Sequence, residues 1–223
     1  MFDIIFLSYN ESNANQNWDK LRDRFPYAKK LSGVKGIHQA HKTAATISLS
    51  NMLWIVDGDS TILDSFNFED PEGVWEESVY VYRAKNPVND LEYGWGGIKL
   101  LPRYYAMRIT NDTVDMTTSV APHFTAVNQI ASITNFNTDP FSTWKSAFRE
   151  CVKLSSKVID RQVDTETEKR LDTWCTVGAN KPFGEYCIQG ALAGREYGIA
   201  NKDNKDALKL INNFGWLREQ FNG

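Results

Sequence analysis

The chain has 223 residues, with 42% hydrophobic, 13% aromatic and 24% charged side chains and a formal net charge of −3. That composition excludes a disordered tail, a collagen-like fibre and a membrane bundle, and the charge excludes a globally basic nucleic-acid binder. The length suits one α/β domain and is too short for two complete nucleotide-binding domains side by side.

The first third alternates strand and helix signals. Asp3–Ser8 holds the apolar run Ile4-Ile5-Phe6-Leu7, which predicts a strand buried on both faces, and turn and N-cap residues follow at Tyr9–Asn13. Trp18, Leu21 and Phe25 recur at spacings of three and four, predicting an amphipathic helix ended by Pro26. A short strand is expected at Ala28–Leu31, then a helix with a small-residue face over Gly36–Leu49, then the strand Met52–Val56 running into Asp57-Gly58-Asp59. This β-α-β-α-β order predicts an α/β fold with a parallel sheet flanked by helices. Strands are expected at Val79–Tyr82, Gly97–Leu101 and Ala131–Phe136, making the sheet mixed but mainly parallel. Helices are expected at Phe141–Ile159, Glu166–Val177, Phe183–Tyr197 and Asp206–Phe221. No composition break marks a linker, so one domain with a helical C-terminal part is the economical reading.

Three cysteines, Cys151, Cys175 and Cys187, with no CxxC pair, are expected as small buried residues and not as a disulfide framework or zinc site. No apolar run approaches the roughly 18 residues of a membrane span. The N-terminus lacks a basic start, so no signal peptide is expected and the location expected is cytoplasmic. Charge is uneven: seven bases and two acids lie between Asp19 and Lys42, and eight acids with no base between Asp57 and Glu77. Solvated surface explains such runs, and so does an anionic ligand accompanied by a divalent cation.

Asp57-Gly58-Asp59 is the sharpest chemical feature. It sits at the carboxyl end of a buried strand, where open α/β sheets bind ligands. In extended chain both acids point the same way, and the glycine lets the backbone turn close to a ligand. Hard ions such as Mg²⁺ or Mn²⁺ suit these carboxylates, commonly sharing oxygens of a diphosphate. The plainer alternative is a polar turn that ends the strand.

Three segments together resemble glycosyltransferases of the GT-A fold. Phe6-Leu7-Ser8-Tyr9-Asn10-Glu11 is similar to the first strand and turn of that family. Lys35-Gly36-Ile37-His38-Gln39-Ala40, with Ala44 and Ala45, is similar to its small-residue helix, and Trp54–Asp59 to its Asp-x-Asp strand end. The resemblance covers residues 1–65 and fades beyond. It implies a single glycosyltransferase domain: a nucleotide-binding half at 1–65, mixed sheet and loops at 66–140, and a helical part at 141–223. It implies that Tyr9 lies against the nucleobase, that Asn10 or Glu11 contacts base or ribose, and that Lys35 approaches the nucleotide. Asp57 would then meet ribose and metal, and Asp59 the metal on the two phosphates. The cofactor implied is Mn²⁺ or Mg²⁺, and the donor a nucleoside-diphosphate sugar, UDP-sugar favoured, for a hexosyl- or pentosyltransferase.

Further along, Tyr93–Leu100 is glycine-rich, and Trp95 offers a flat face for a sugar ring or else packs in a hairpin. Asp112, Asp115 and His123 lie in the loop-rich middle. The resemblance implies a late histidine in the metal shell, for which His123 is the candidate; an ordinary core or surface histidine is the alternative. An inverting transfer needs a carboxylate base for the acceptor, and Asp172 or Glu185 is available; Glu185 equally suits a helix N-terminus. GxSxG, HExxH and catalytic-cysteine signatures are absent from the sequence. The compact size is similar to transferases of tailed bacteriophages that glycosylate hydroxymethylated bases of DNA; that resemblance would imply double-stranded DNA with modified bases as a partner and, for a viral protein, the host cytoplasm as the location. Lys145, Arg149, Lys153 and Lys157, four apart, are a candidate phosphate-facing stripe or a solvated face. A small-molecule or glycan acceptor, or a non-catalytic nucleotide-sugar binding protein of the same fold, are the alternatives.

Overall fold

A computed structural model describes residues 1–110, 113–159 and 162–223. The chain divides into two compact units, one made of Met1–Asn86, Glu92–Asn111 and Met116–Asn135, the other of Pro87–Leu91, Asp112–Asp115 and Phe136–Gly223. No helix among the described residues is long and apolar enough to cross a membrane.

The first unit is an α/β layer. Its elements are β1 (Asp3–Ser8), α1 (Ala14–Arg24), β2 (Lys29–Ser32), α2 (Ile37–Ile47), β3 (Met52–Asp57), β4 (Ser60–Ile62), β5 (Ser78–Lys85) and β6 (Glu92–Pro102). Two single-turn helices, α3 (Arg103–Ala106) and α4 (Met116–Ser119), lead to β7 (His123–Thr134). The strands form one seven-stranded sheet in the order β2-β1-β3-β6-β5-β7-β4. Pairing is parallel for β1 with β2, β1 with β3, and β5 with β7, and antiparallel for β3 with β6, β5 with β6, and β4 with β7.

The expected mainly parallel sheet is therefore half antiparallel. The reason is in the connections. Only the segments before β3 carry helices of eleven residues, long enough for a crossover; the six residues between β5 and β6 reverse the chain directly.

Strand alternation divides the core between the two faces of the sheet. Ile4, Phe6, Trp54, Val56, Tyr82, Ile98 and Leu100 meet α1 residues Ala14 and Leu21 on one face. Ile5, Leu7, Leu53, Ile55, Val79, Val81 and Leu101 meet Ala44 and Ala45 of α2 on the other. The small-residue face of α2 is thus core. Trp54 anchors the first layer, its ring 5.4 Å from Phe68, 5.2 Å from Tyr82 and 5.9 Å from Phe66. Asp3 fastens the start of β1 to the loop before β3, accepting from the Leu49 N–H at 2.6 Å and pairing with Lys29 at 3.0 Å.

The second unit is helical. It contains α5 (Pro140–Ser156), α6 (Asp164–Thr176), α7 (Gly184–Ala200), α8 (Lys205–Lys209), a 3₁₀ turn at Leu210–Asn212, and α9 (Phe214–Asn222). Asp139 caps α5 by accepting from the Ser142 N–H at 2.9 Å, with Pro140 at its first turn. Gly190, Gly194 and Gly198, one turn apart, let α7 press on α5, because a Cβ there would strike the backbone at Trp144, Phe148 and Val152. The helix expected over Asp206–Phe221 is broken in two. Asn213 interrupts it by capping a new start, accepting from the N–H groups of Gly215 at 3.0 Å and Trp216 at 3.2 Å. Cys151, Cys175 and Cys187 are all free and buried.

Candidate active site

The Asp57-Gly58-Asp59 turn is held from several directions, all within the first unit. A Cβ on Gly58 would lie 2.9 Å from Glu11 Oε2, 2.9 Å from Ser8 Cβ and 3.1 Å from the Leu7 carbonyl. The turn thus nests against the end of β1, and the missing side chain makes that approach possible. Glu11 Oε2 also accepts from the Tyr9 N–H at 2.7 Å, closing the loop after β1. On the other side, buried Asn17 donates to the Gly58 carbonyl at 2.9 Å and accepts from Thr61 at 2.8 Å. Asn135 donates its N–H to the Asp59 carbonyl at 2.8 Å and its amide to Thr61 Oγ1 at 2.7 Å. Asn13 in turn donates to the Asn135 carbonyl at 2.9 Å. Asn13, Asn17, Thr61 and Asn135 fix the turn's backbone by side-chain bonds that no regular secondary structure could supply.

Beneath the turn lies Lys99. It stands on β6 between Ile55 of β3 and Val81 of β5 and is 1% exposed. Its Nζ donates to Asp57 Oδ1 at 2.9 Å and to the Gly96 carbonyl. His41, on α2, belongs to the same electrostatic neighbourhood. Burial pushes its pKa well below the usual histidine range, and the positive charge of Lys99 and the presence of His38 push the same way, against the bond to Ile37. Its Nδ1 lies 2.8 Å from the Ile37 carbonyl, which can only accept, so the ring is neutral with the proton on Nδ1. Nε2 is buried without a hydrogen-bond partner. Among the described residues three further buried hydroxyls lack partners, those of Ser60, Ser132 and Thr134, and Gly97 lies close enough that a Cβ would strike Ser60 Oγ.

The predicted site residues fall into three groups. Tyr9, Asn10, Glu11, Lys35, Asp57, Asp59 and Trp95 come to one end of the sheet. The first three follow β1, Lys35 follows β2 in the loop before α2, Asp57 ends β3 and Asp59 follows it. Trp95 lies on the antiparallel β6 beyond the Val56–Ile98 pair, half-buried, its ring 5.6 Å from Tyr93. Tyr9 is 38% exposed, and Asn10 and Lys35 are also exposed.

His123, expected in the metal shell, does not lie with them. It pairs with Ser78 at the start of β5, level with the beginning of β3, and its ring stacks on Trp75 at 4.1 Å. From that level to Asp57 is the length of β3, about 17 Å at roughly 3.4 Å per residue.

The third group belongs to the second unit. Asp172 on α6 accepts from Arg195 Nη1 at 3.0 Å, and Glu185 lies in the first turn of α7. Asp115 pairs with Lys153 at 3.7 Å, while Asp112 lies outside the described residues. The expected basic stripe does not form an open face either. Lys153 pairs with Glu150 at 2.9 Å, Lys157 with Asp164 at 2.8 Å, and Arg149 donates to the Ile211 carbonyl at 2.9 Å, while Lys145 sits 4.3 Å from the Phe214 ring centroid. Steps of four residues drift round a helix of 3.6 per turn, so the four cations meet different neighbours.

Lys99, Asn17, Thr61 and Asn135 escaped the reading of the sequence. For Lys99 the sequence carries a signal only once the strand is known to be central, since a lysine buried there needs a carboxylate partner. The chain matches no protein-family model and no curated protein.

Proposed function

We propose that this chain is a metal-dependent glycosyltransferase of the GT-A kind, moving a sugar from a nucleoside-diphosphate sugar to a hydroxyl acceptor. One observation carries the reading: the Asp57-Gly58-Asp59 turn, at the carboxyl end of a central strand, is pressed at Gly58 against Ser8 and Glu11 of the loop that bears Tyr9. Carboxylates and an exposed aromatic ring thereby share one sheet end, as recognition of a nucleoside diphosphate requires.

The donor set suits a hard divalent ion. Asp59 and Asp57 would hold it together with phosphate oxygens of the donor; among the described residues no group of three or more His, Cys, Asp or Glu is placed to hold a metal. When bound, the ion offsets the charge developing on the diphosphate leaving group. The chain's own part is positional. Tyr9 gives the base a flat surface, Glu11 keeps the Tyr9 turn closed, Lys35 lends positive charge near the phosphates, and Trp95 faces the sugar.

Release of nucleoside diphosphate from a panel of nucleotide sugars with Mn²⁺ tests this, with plain and hydroxymethylated duplex DNA and simple glycans as acceptors. Turnover by the wild type is expected to fall roughly 10²- to 10³-fold in Asp59→Asn, the scale for losing one charge-stabilising group. Unchanged turnover in that variant would refute the assignment. Tight donor binding without release in any mixture would instead make the protein a non-catalytic nucleotide-sugar binder.

A further inference from the structure

Lys99 plays no part in the assignment above, yet it is the most conspicuous charge in the site. An ammonium at 1% exposure, with Ile98 and Leu100 beside it in the strand, is unfavourable unless compensated, and an apolar side chain of equal length would fill the space without that penalty. Its two acceptors lie on different segments. Asp57 ends β3, and Gly96, held at φ 83° where only glycine is at ease, leads back to Trp95. The ammonium therefore ties the carboxylate turn to the backbone that presents Trp95. It also offsets the charge of Asp57, so Asp57, Asp59 and Lys99 together keep one net negative charge.

We propose that Lys99 is the positioning residue of this site, orienting Asp57 and offsetting its charge so that a divalent cation is taken up as a cation–diphosphate complex and not as the bare ion. The inference rests on reading Asp57 and Asp59 as the carboxylates that face a diphosphate. A bare cation entering the site is repelled by the ammonium; the negative diphosphate cancels that repulsion, so nucleotide and metal assist each other's binding by the same factor.

Lys99→Met keeps the length and volume and removes the charge. Mn²⁺ binding, followed by water-proton relaxation with and without UDP, reads the effect without any turnover. The wild type should bind bare Mn²⁺ weakly and gain at least about tenfold with UDP. In K99M the affinity for bare Mn²⁺ should rise roughly tenfold or more, as Coulomb scaling for a unit charge beside a divalent ion implies, and the gain from UDP should shrink. A UDP gain in the wild type with no tighter bare-ion binding in K99M overturns the proposal alone. No effect of UDP in either protein overturns the nucleotide assignment and the proposal with it. Thermal unfolding guards against misfolded variants. Asp57→Asn removes the carboxylate charge that offsets the buried ammonium and should lower Tm more than K99M does, and the double variant should recover that loss. A double variant no more stable than Asp57→Asn would show the two groups uncoupled and would also overturn the proposal.

Discussion

Asp3 and Asp57 stand at opposite ends of adjacent parallel strands, each paired with a lysine, and they hold different things in place. Asp3 holds the fold. Burial raises its pKa, but the bonds from the Leu49 N–H, Lys29 and Ser48 outweigh that and bring it from 3.8 down to about 2. A folded-state value below the unfolded one stabilises the protein above pH 4, and that contribution is lost as the pH falls toward 2. The shift corresponds to about 2 kcal/mol. Asp3→Asn is expected to lose about that much at pH 7, with the difference from wild type closing between about pH 4 and pH 2; urea titrations at a series of pH values measure it. Asp57 belongs to the proposed site, and its place at the end of a buried strand was legible because an apolar run ended in paired acids. Lys99 was not, since one lysine between Ile98 and Leu100 reads equally as the outward residue of an alternating edge strand. Only the placement of β5 beyond β6 makes that strand central. The place of His123 at the far end of the sheet was hidden for a related reason, because the sequence does not tell which end of a strand a residue occupies.

Elements with strong periodicity or a long apolar run matched the sequence within a few residues: β1, β3, α1, α5 and α6. The failures have local causes. β4 is three residues long, too short for any period to show, and Asn213 splits a helix whose apolar spacing continues across the break. The contact of α5 with α7 was also hidden, since the glycines that permit it look like helix breakers when α7 is read alone. Gly194→Val puts a branched side chain against the Phe148 backbone and is expected to cost about 1–3 kcal/mol in a urea titration, as overpacking does. Leu192→Ala, at a position 47% exposed on the same helix, should change stability by less than about 0.5 kcal/mol.

Across the whole molecule, the expected change from mixed sheet to helix near residue 140 lies close to the Phe136 boundary of the second unit. The short pieces that the second unit takes from earlier in the chain, Pro87–Leu91 among them, carry no signature in composition, because such membership arises from contacts between distant segments. At a hundredfold excess over Kd, UDP with Mn²⁺ should stabilise the folded state by about 2.7 kcal/mol. For a chain of this length that raises Tm by about 5–10 °C, and differential scanning fluorimetry reads it. Asp59→Asn should abolish the rise, and UDP without the metal should give much less. The buried ammonium of Lys99 has one more use. Protons shielded from water and held in hydrogen bonds exchange slowly, so the Nζ–H signal of Lys99 is a native beacon for ¹⁵N spectroscopy. It lies at the turn proposed to meet the ligand, and in ¹⁵N-enriched protein it would report arrival there with no side chain altered.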